Sequence, residues 1–320
     1  MALGDGIRRN IATVDPVERT LLRDAILKMN APRWDGTRED PVAGGVTWWF
    51  KQDEIHKVTH VHGGPEFLPW HREIVNRFED QLRVIDPRVS LHYWDWTQDP
   101  RSIPNANLGN GHAGSLNLFT PQFMGYGGSD LKPIGQPFEN AGFYAPQANP
   151  FRSDNAFDPN NNPADPPRTV NRQVNGLPID APRDQDVLDA PDYETMRRVL
   201  EQSHNEMHGF VNMGGTHISF RDPFVFLLHS NVDRLFALWQ HQPGHPERLD
   251  PEHVYGPLNG NSELAGNIEP WSSGRTLNEV TGQENLIRPW YDPEKMGIPK
   301  SYKDLSVVIP RRYDTNPGVV

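Results

Sequence analysis

The sequence predicts a mainly α-helical fold with long irregular loops and few short strands, and three observations lead there. Apolar residues recur at helical spacing in five separate stretches. Thirty-one prolines and 27 glycines interrupt the chain between them. Hydrophobic residues make up 36% and aromatics 10%, with nine tryptophans, which is enough for one substantial core.

The first stretch opens at Asp15-Pro16. Asp15 can cap, Pro16 suits the first turn, and Leu21, Leu22, Ala25, Ile26 and Met29 form an apolar stripe. A second helix is expected from Thr47 to about Thr59. A third is expected from Pro69 to Ile85, with His71, Ile74, Val75, Phe78 and Leu82 on one face. Val89–Trp96 reads as a short extended or buried aromatic segment. Residues 100–190 are rich in Pro, Asn, Gly and Asp and read as an irregular surface insertion, too poor in apolar runs to make a second core. Helical spacing returns at Tyr193, where Met196, Leu200, His204, Met207, His208 and Val211 line one face. Asp222-Pro223 starts the last helix, on which Val225, His229, Val232, Asp233 and Phe236 share a face. The segment from about 243 to 320 is loop-rich, with a candidate terminal strand at Leu305–Ile309. Residues 1–320 are therefore expected to form a single domain.

Charge and composition exclude several function classes. A net charge of −11 disfavours nucleic acid and anionic membrane as partners. No apolar run approaches the ~20 residues of a membrane span. The N-terminus MALGDGIRRN lacks the apolar core of a signal peptide, so the expected location is cytoplasmic, or outside the cell by export on a partner. There is no cysteine, which rules out disulfides, thiolate ligands and cysteine nucleophiles. Any metal must be held by histidine and carboxylate.

The 13 histidines fall into an informative pattern. His204 and His208 are four apart, so their imidazoles stack on one helical face within reach of one ion. That face is otherwise apolar, as are the faces carrying His71 and His229. Inward-facing imidazoles need partners, and four at once are hard to satisfy with backbone carbonyls. One cluster lies at 56–71 and the other at 204–229, which suggests two ions. Neutral imidazole suits Zn, Cu, Fe and Ni, and a set this poor in carboxylate fits copper well and zinc acceptably.

Four segments carry a family resemblance. HGGPEFLPWHR (His62–Arg72) resembles the copper-A signature of tyrosinases, and DPFVFLLHSNVDRLFALWQ (Asp222–Gln240) resembles their copper-B signature. HNEMH (204–208) is similar to the family's His-Asn-x-x-His, and YWDW (93–96) matches another recurrent segment. The likeness spans roughly residues 45–100 and 195–242. The family comprises type 3 copper proteins: tyrosinases, catechol oxidases, o-aminophenol oxidases and haemocyanins. It implies a four-helix bundle enclosing two copper ions, each held by three histidines.

Under this resemblance His62 and His71 are the second and third copper-A ligands, and His204, His208 and His229 are the copper-B set. Leu228 stands where relatives often have another histidine. The gap before His62 is shorter than is usual in the family, and HKVTHVH offers two candidates for the first copper-A ligand. His56 leaves room for a helix end and a short turn; His60 is too close to reach round easily. His56 is the expected ligand and His60 a nearby or surface histidine.

Glu201 and Asn205 match the pair that in the family positions a water for deprotonating a phenol, chemistry that a carboxylate and an amide can share. The plain alternative for Glu201 is a solvated helix residue. Asp233 is placed to accept from a ligand imidazole or from Arg234. Phe67, Trp70 and Phe226 are expected to pack against the ligands. His92, His112, His217, His241, His245 and His253 are expected to be surface or structural, and the loop Gly214–Phe220 to shape entry to the pocket.

The implied function is copper-dependent oxidation of a small phenolic substrate by O2 to an o-quinone, with monophenol hydroxylation and a copper chaperone as a further partner. Within the family, a catechol or o-aminophenol oxidase lacking monophenolase activity is the neighbouring reading, and an O2 carrier another. A carrier would bury the site under an extra domain, and no β-sandwich pattern follows Gln240. A zinc hydrolase using Glu201 as base is the reading outside the family.

Overall fold

The computed structural model describes residues 3–31, 47–49, 52–53, 56, 62–64, 67–139, 170–174, 183–211, 219–249 and 310–315. Helix α1, Pro16–Lys28, begins as its sequence dictates: the Asp15 carboxylate accepts from the Val17 amide at 2.9 Å, and Pro16 occupies the first turn, where an N–H would have no helical partner. Leu22, Ala25 and Ile26 turn into the core and Met29 follows them.

Helix α2, Phe67–Ile85, starts two residues before the expected Pro69. Pro69 still falls within the first turn, where its missing N–H removes no helical bond. The apolar stripe His71, Ile74, Val75, Phe78 and Leu82 is buried, but so is most of the helix from Phe67 to Glu79. Its charged residues tolerate this because they are paired: Arg72 with Asp233, Arg77 with Glu73, and Glu79 with Arg8 at 2.8 Å. Of the helix expected over 47–59, the described residues Trp48, Trp49, Gln52, Asp53 and His56 are helical.

Helix α3, Asp184–Leu188, is short. Helix α4, Tyr193–Phe210, is capped by Asp192, which accepts from the Thr195 amide at 2.8 Å. Helix α5, Phe224–Gln240, starts where Asp222 accepts from the Phe224 amide at 2.9 Å, and every residue in it except Leu238 is buried. Full burial of an aliphatic or aromatic side chain is worth about 1.5–3 kcal/mol, so this helix, with four buried phenylalanine and tryptophan rings and three buried leucines, anchors the core. Helix α5 packs on α2 and α4, α2 touches α4, α3 bridges α4 and α5, and α1 lies on α2.

Residues 100–139 hold more regular structure than their composition predicts. Strands β1, Ile103–Gly109, and β2, His112–Leu116, form an antiparallel hairpin closed by Asn110-Gly111. Both turn residues have positive φ (52° and 77°), the conformation that makes Asn-Gly a strong hairpin signal. Strands β3, Lys132–Pro133, and β4, Asn171–Arg172, make a second small pair. Ile103, Leu118, Phe119, Met124, Ile134, Val174 and Val187 join the main core, so the segment needs no core of its own. Buried Arg172 fastens it to the start of α5 through an ion pair with Asp222 at 2.5 Å.

Residues 89–96, apart from half-buried Asp95, are buried as expected but form no strand; Tyr93 makes a single bridge to Asn10. The expected strand at Leu305–Ile309 lies outside the described residues. Just beyond it, Tyr313 pairs with Arg8 in a parallel bridge. No described helix is long and apolar enough to cross a membrane.

Candidate metal centre

Three helices, the helical backbone at His56 and one turn carry the six expected histidines inward. His71 lies on α2, His204 and His208 on α4, and His229 on α5; His56 is itself helical, and His62 sits in irregular backbone just before Gly63, whose φ is +78°. His56, His71, His204, His208 and His229 are buried and His62 is half-buried.

The side chains gather in two groups. In each of the sets His56, His62, His71 and His204, His208, His229, one ring nitrogen per residue lies within 4.8 Å of the others, and neither set includes a carboxylate. The groups face each other: His71 stacks on His229 with ring centroids 4.8 Å apart, and His62 and His204 are 6.0 Å apart. The structure thus brings His56 to His62 and His71. His60, His217 and His253 lie outside the described residues.

The nitrogens are prepared for an ion. The Nδ1 of His71 donates to the Phe67 carbonyl at 2.7 Å, which leaves its buried Nε2 as a lone-pair donor with no hydrogen-bond partner. In the second group the Nε2 of His229 lies 3.3 Å from that of His204 and 3.2 Å from that of His208. Three imidazole nitrogens converging in this way cannot all satisfy one another, whereas one cation satisfies all three. The Nδ1 of His204 is turned outward by the Asn205 Oδ1 at 3.0 Å, which directs Nε2 inward. Burial, reinforced by the neighbouring imidazoles, pushes His71, His204 and His229 well below the ordinary imidazole value, so all three are neutral. Six imidazoles with no carboxylate among them fit copper and also suit zinc.

Aromatic rings close the surroundings. Phe67 lies 4.5 Å from His71 and 5.0 Å from His204, and Trp70 lies 4.9 Å from His71. Phe226 meets no imidazole among these ring contacts; it stacks on Phe78 and abuts Phe220. Phe220, which the sequence placed only at the end of the loop expected to shape entry, forms a wall of the site: its ring stacks on His56 at 4.1 Å and reaches His229 at 5.2 Å. Nothing in its spacing marks it, since it sits in a single 3-10 turn, Ser219–Arg221. Most of the Gly214–Phe220 loop lies outside the described residues.

Glu201 is not a solvated residue. It is buried, one oxygen accepts from the Gly63 amide at 2.7 Å, and the other is ion-paired with Arg197 at 2.6 Å. Asp233 meets neither a ligand imidazole nor Arg234. Its partners are Arg72, Arg8 at 3.0 Å and the Tyr313 hydroxyl at 2.7 Å, while Arg234 turns to Asn231 and Asp184. The reason is geometric: two buried guanidinium groups outcompete a neutral imidazole for one carboxylate. His92 is buried and structural, accepting from the Arg9 amide at 3.3 Å; His112 is exposed.

Comparison with known proteins agrees with this geometry. The profile of the common central domain of tyrosinase matches residues 26–242. A tyrosinase of Streptomyces lincolnensis is 27% identical over 305 residues, covering 86% of this chain and 97% of that protein. Grixazone synthase of Streptomyces griseus is 31% identical over 268 residues, covering 75% and 85%. A functional unit of octopus haemocyanin has the same fold, with a TM-score of 0.52 at 19% identity over 96% of this chain and 68% of that one.

Proposed function

Because this chain belongs to the tyrosinase family of type 3 copper proteins, we propose that it oxidises small phenols and o-diphenols to o-quinones with O2. The observation that carries this reading is the pair of all-histidine groups facing each other across the stacked rings of His71 and His229. We assign His56, His62 and His71 to one copper ion and His204, His208 and His229 to the other. We assign the helical residues around 48–56 together with α2, α4 and α5 to the family's four-helix bundle, a reading supported by the packing of α5 on α2 and α4. The shared core running from Ile11 to Trp239 supports one catalytic domain.

A copper pair held there supplies O2 binding and reduction. For o-diphenols, two molecules each give up two electrons and two protons and one O2 leaves as two waters; a monophenol takes one oxygen atom of O2 into the ring and the other leaves as one water. The chain's own residues do the rest. His71, His204 and His229, held neutral by burial, offer lone pairs without competing protons. Phe67 and Phe220 give an apolar wall that keeps bulk water off the rings. Glu201 uses two of its four lone-pair positions on Gly63 and Arg197, and the rest remain for a water; the Asn205 amide N–H groups, left over from the bond to His204, are the second hold on it. That water is the acceptor for the proton of an incoming phenol.

The structural likeness to a haemocyanin unit favours, as a second reading, a protein that binds O2 reversibly. Metal analysis and parallel incubation with tyrosine, catechol and o-aminophenol separate the readings. Two coppers per chain with quinone formation is expected. Quinone from catechol or o-aminophenol but not from tyrosine removes the hydroxylation step. Reversible O2 binding without quinone establishes the carrier, and stoichiometric zinc overturns both.

A further inference from the structure

Of the six histidines, only His62 stands outside helical backbone. The other five are held by helices, whose hydrogen bonds fix where each Cβ points. His62 is followed by Gly63, at φ +78°, a conformation that directs the chain through a turn but does not tether it. The tether comes from across the site. The Gly63 amide donates to Glu201 at 2.7 Å, and Glu201 lies on α4, one turn before His204. Arg197, one turn earlier on the same helix and itself buried, holds the other Glu201 oxygen at 2.6 Å and also pairs with Glu194 at 2.9 Å. The carboxylate is therefore locked from behind by a charged partner while it grips a backbone amide in front.

We propose that Glu201 is a positioning residue for His62: the helix that carries the second histidine group holds the turn that completes the first. This rests on reading the two groups as the copper ligands. The role needs only an oxygen acceptor at the end of the side chain, whereas proton transfer needs a carboxylate. Glu201→Gln retains the acceptor, and Glu201→Ala removes it.

The tether is tested on metal-free protein by amide hydrogen exchange at Gly63, with the Asn107 amide on β1, bonded to the Ala12 carbonyl, as the internal control. Bonds to charged acceptors are strong enough that losing one should speed Gly63 exchange by about tenfold or more in Glu201→Ala. Asn107 should be unchanged, and Glu201→Gln should stay close to wild type. On copper titration, Glu201→Ala should lose the ion held by His56, His62 and His71 and keep the other, and Glu201→Gln should load both. Equal Gly63 exchange in wild type and Glu201→Ala overturns the proposal, as does equal copper loss in the Ala and Gln variants. If Asn107 also accelerates in Glu201→Ala, the decision passes to Arg197→Met, which frees Glu201 from behind. Raised Gly63 exchange with Asn107 unchanged supports the tether, and unchanged Gly63 exchange overturns it. Wild-type protein that takes up no copper refutes the copper reading while leaving the Gly63 comparison intact.

Discussion

Arg72, the residue after His71, is ion-paired with Asp233, one turn beyond His229. The two helices that bring His71 and His229 into ring contact are thus joined a second time directly behind those rings. Arg8 and Tyr313 complete the joint from the two ends of the chain, at 3.0 and 2.7 Å from the same carboxylate. Burial and the nearby Asp233 push the Tyr313 phenol well above its ordinary value, against the opposing pull of Arg8, so it stays protonated and donates.

Removing that carboxylate takes a counter-ion from two buried guanidinium groups, of which Arg8 keeps Glu79. Asp233→Ala should cost about 3–5 kcal/mol in chemical denaturation. Tyr313→Phe, which deletes one hydroxyl, should cost about 1–3 kcal/mol. Equal and negligible losses for both would show that the joint contributes nothing.

His229→Ala should lower bound copper from two per chain to one and abolish quinone formation, and His208→Ala should do the same. His112→Ala, on the exposed β2 strand, should do neither. Two coppers and full turnover in either of the first pair would refute the ligand assignment.

Acid should destabilise the metal-free protein. Burial holds His71, His204 and His229 below the ordinary value of about 6.5 in the folded state, while the unfolded chain titrates near that value. Below it the unfolded state binds more protons, so the stability present above about pH 6.5 is lost as the pH falls toward the folded values. The thermal midpoint of the copper-free chain should therefore decline steadily on acidification from neutrality. A midpoint that rises between about pH 7 and 5.5 contradicts the neutral assignment.

Arg172→Met should detach the segment around residues 118–134 from the helical core. Its guanidinium donates to the Met124 and Tyr126 carbonyls at 2.6 and 2.7 Å and neutralises buried Asp222. A loss of about 3–5 kcal/mol, with faster proteolysis between residues 118 and 134, is expected; unchanged proteolysis would mean that apolar contacts alone hold the segment.

Helices were legible where one face repeats and a cap marks the start. Asp15 announces a helix and caps it, and Asp222 marks the start of another and accepts from its first amide; Asp192 caps a third, which was legible from its apolar face alone. The histidines were legible for the same reason, since polar rings on apolar faces demand an explanation. Pair partners across the chain were not legible. Asp233 reads locally as a neighbour of Arg234, and its choice of Arg72 and Arg8 depends on how helices cross, which no local spacing encodes. Arg172 is one of several arginines in a Pro- and Asn-rich stretch, and only its burial against Asp222 reveals its role. Asn110-Gly111 was legible in principle: its turn chemistry signals a hairpin, and the surrounding low apolar content masked it.

The bond between Arg8 and Tyr313 spans 305 positions. Loop closure over such a span is entropically slow and can occur only after the rest of the chain has been synthesised. On the ribosome, all six histidines emerge while Arg8 still waits for Tyr313. The carboxylate behind His229 then holds at most two of its three final partners. The brace is completed only once Tyr313 has emerged, which gives a chain still short of that residue a looser site than the finished one.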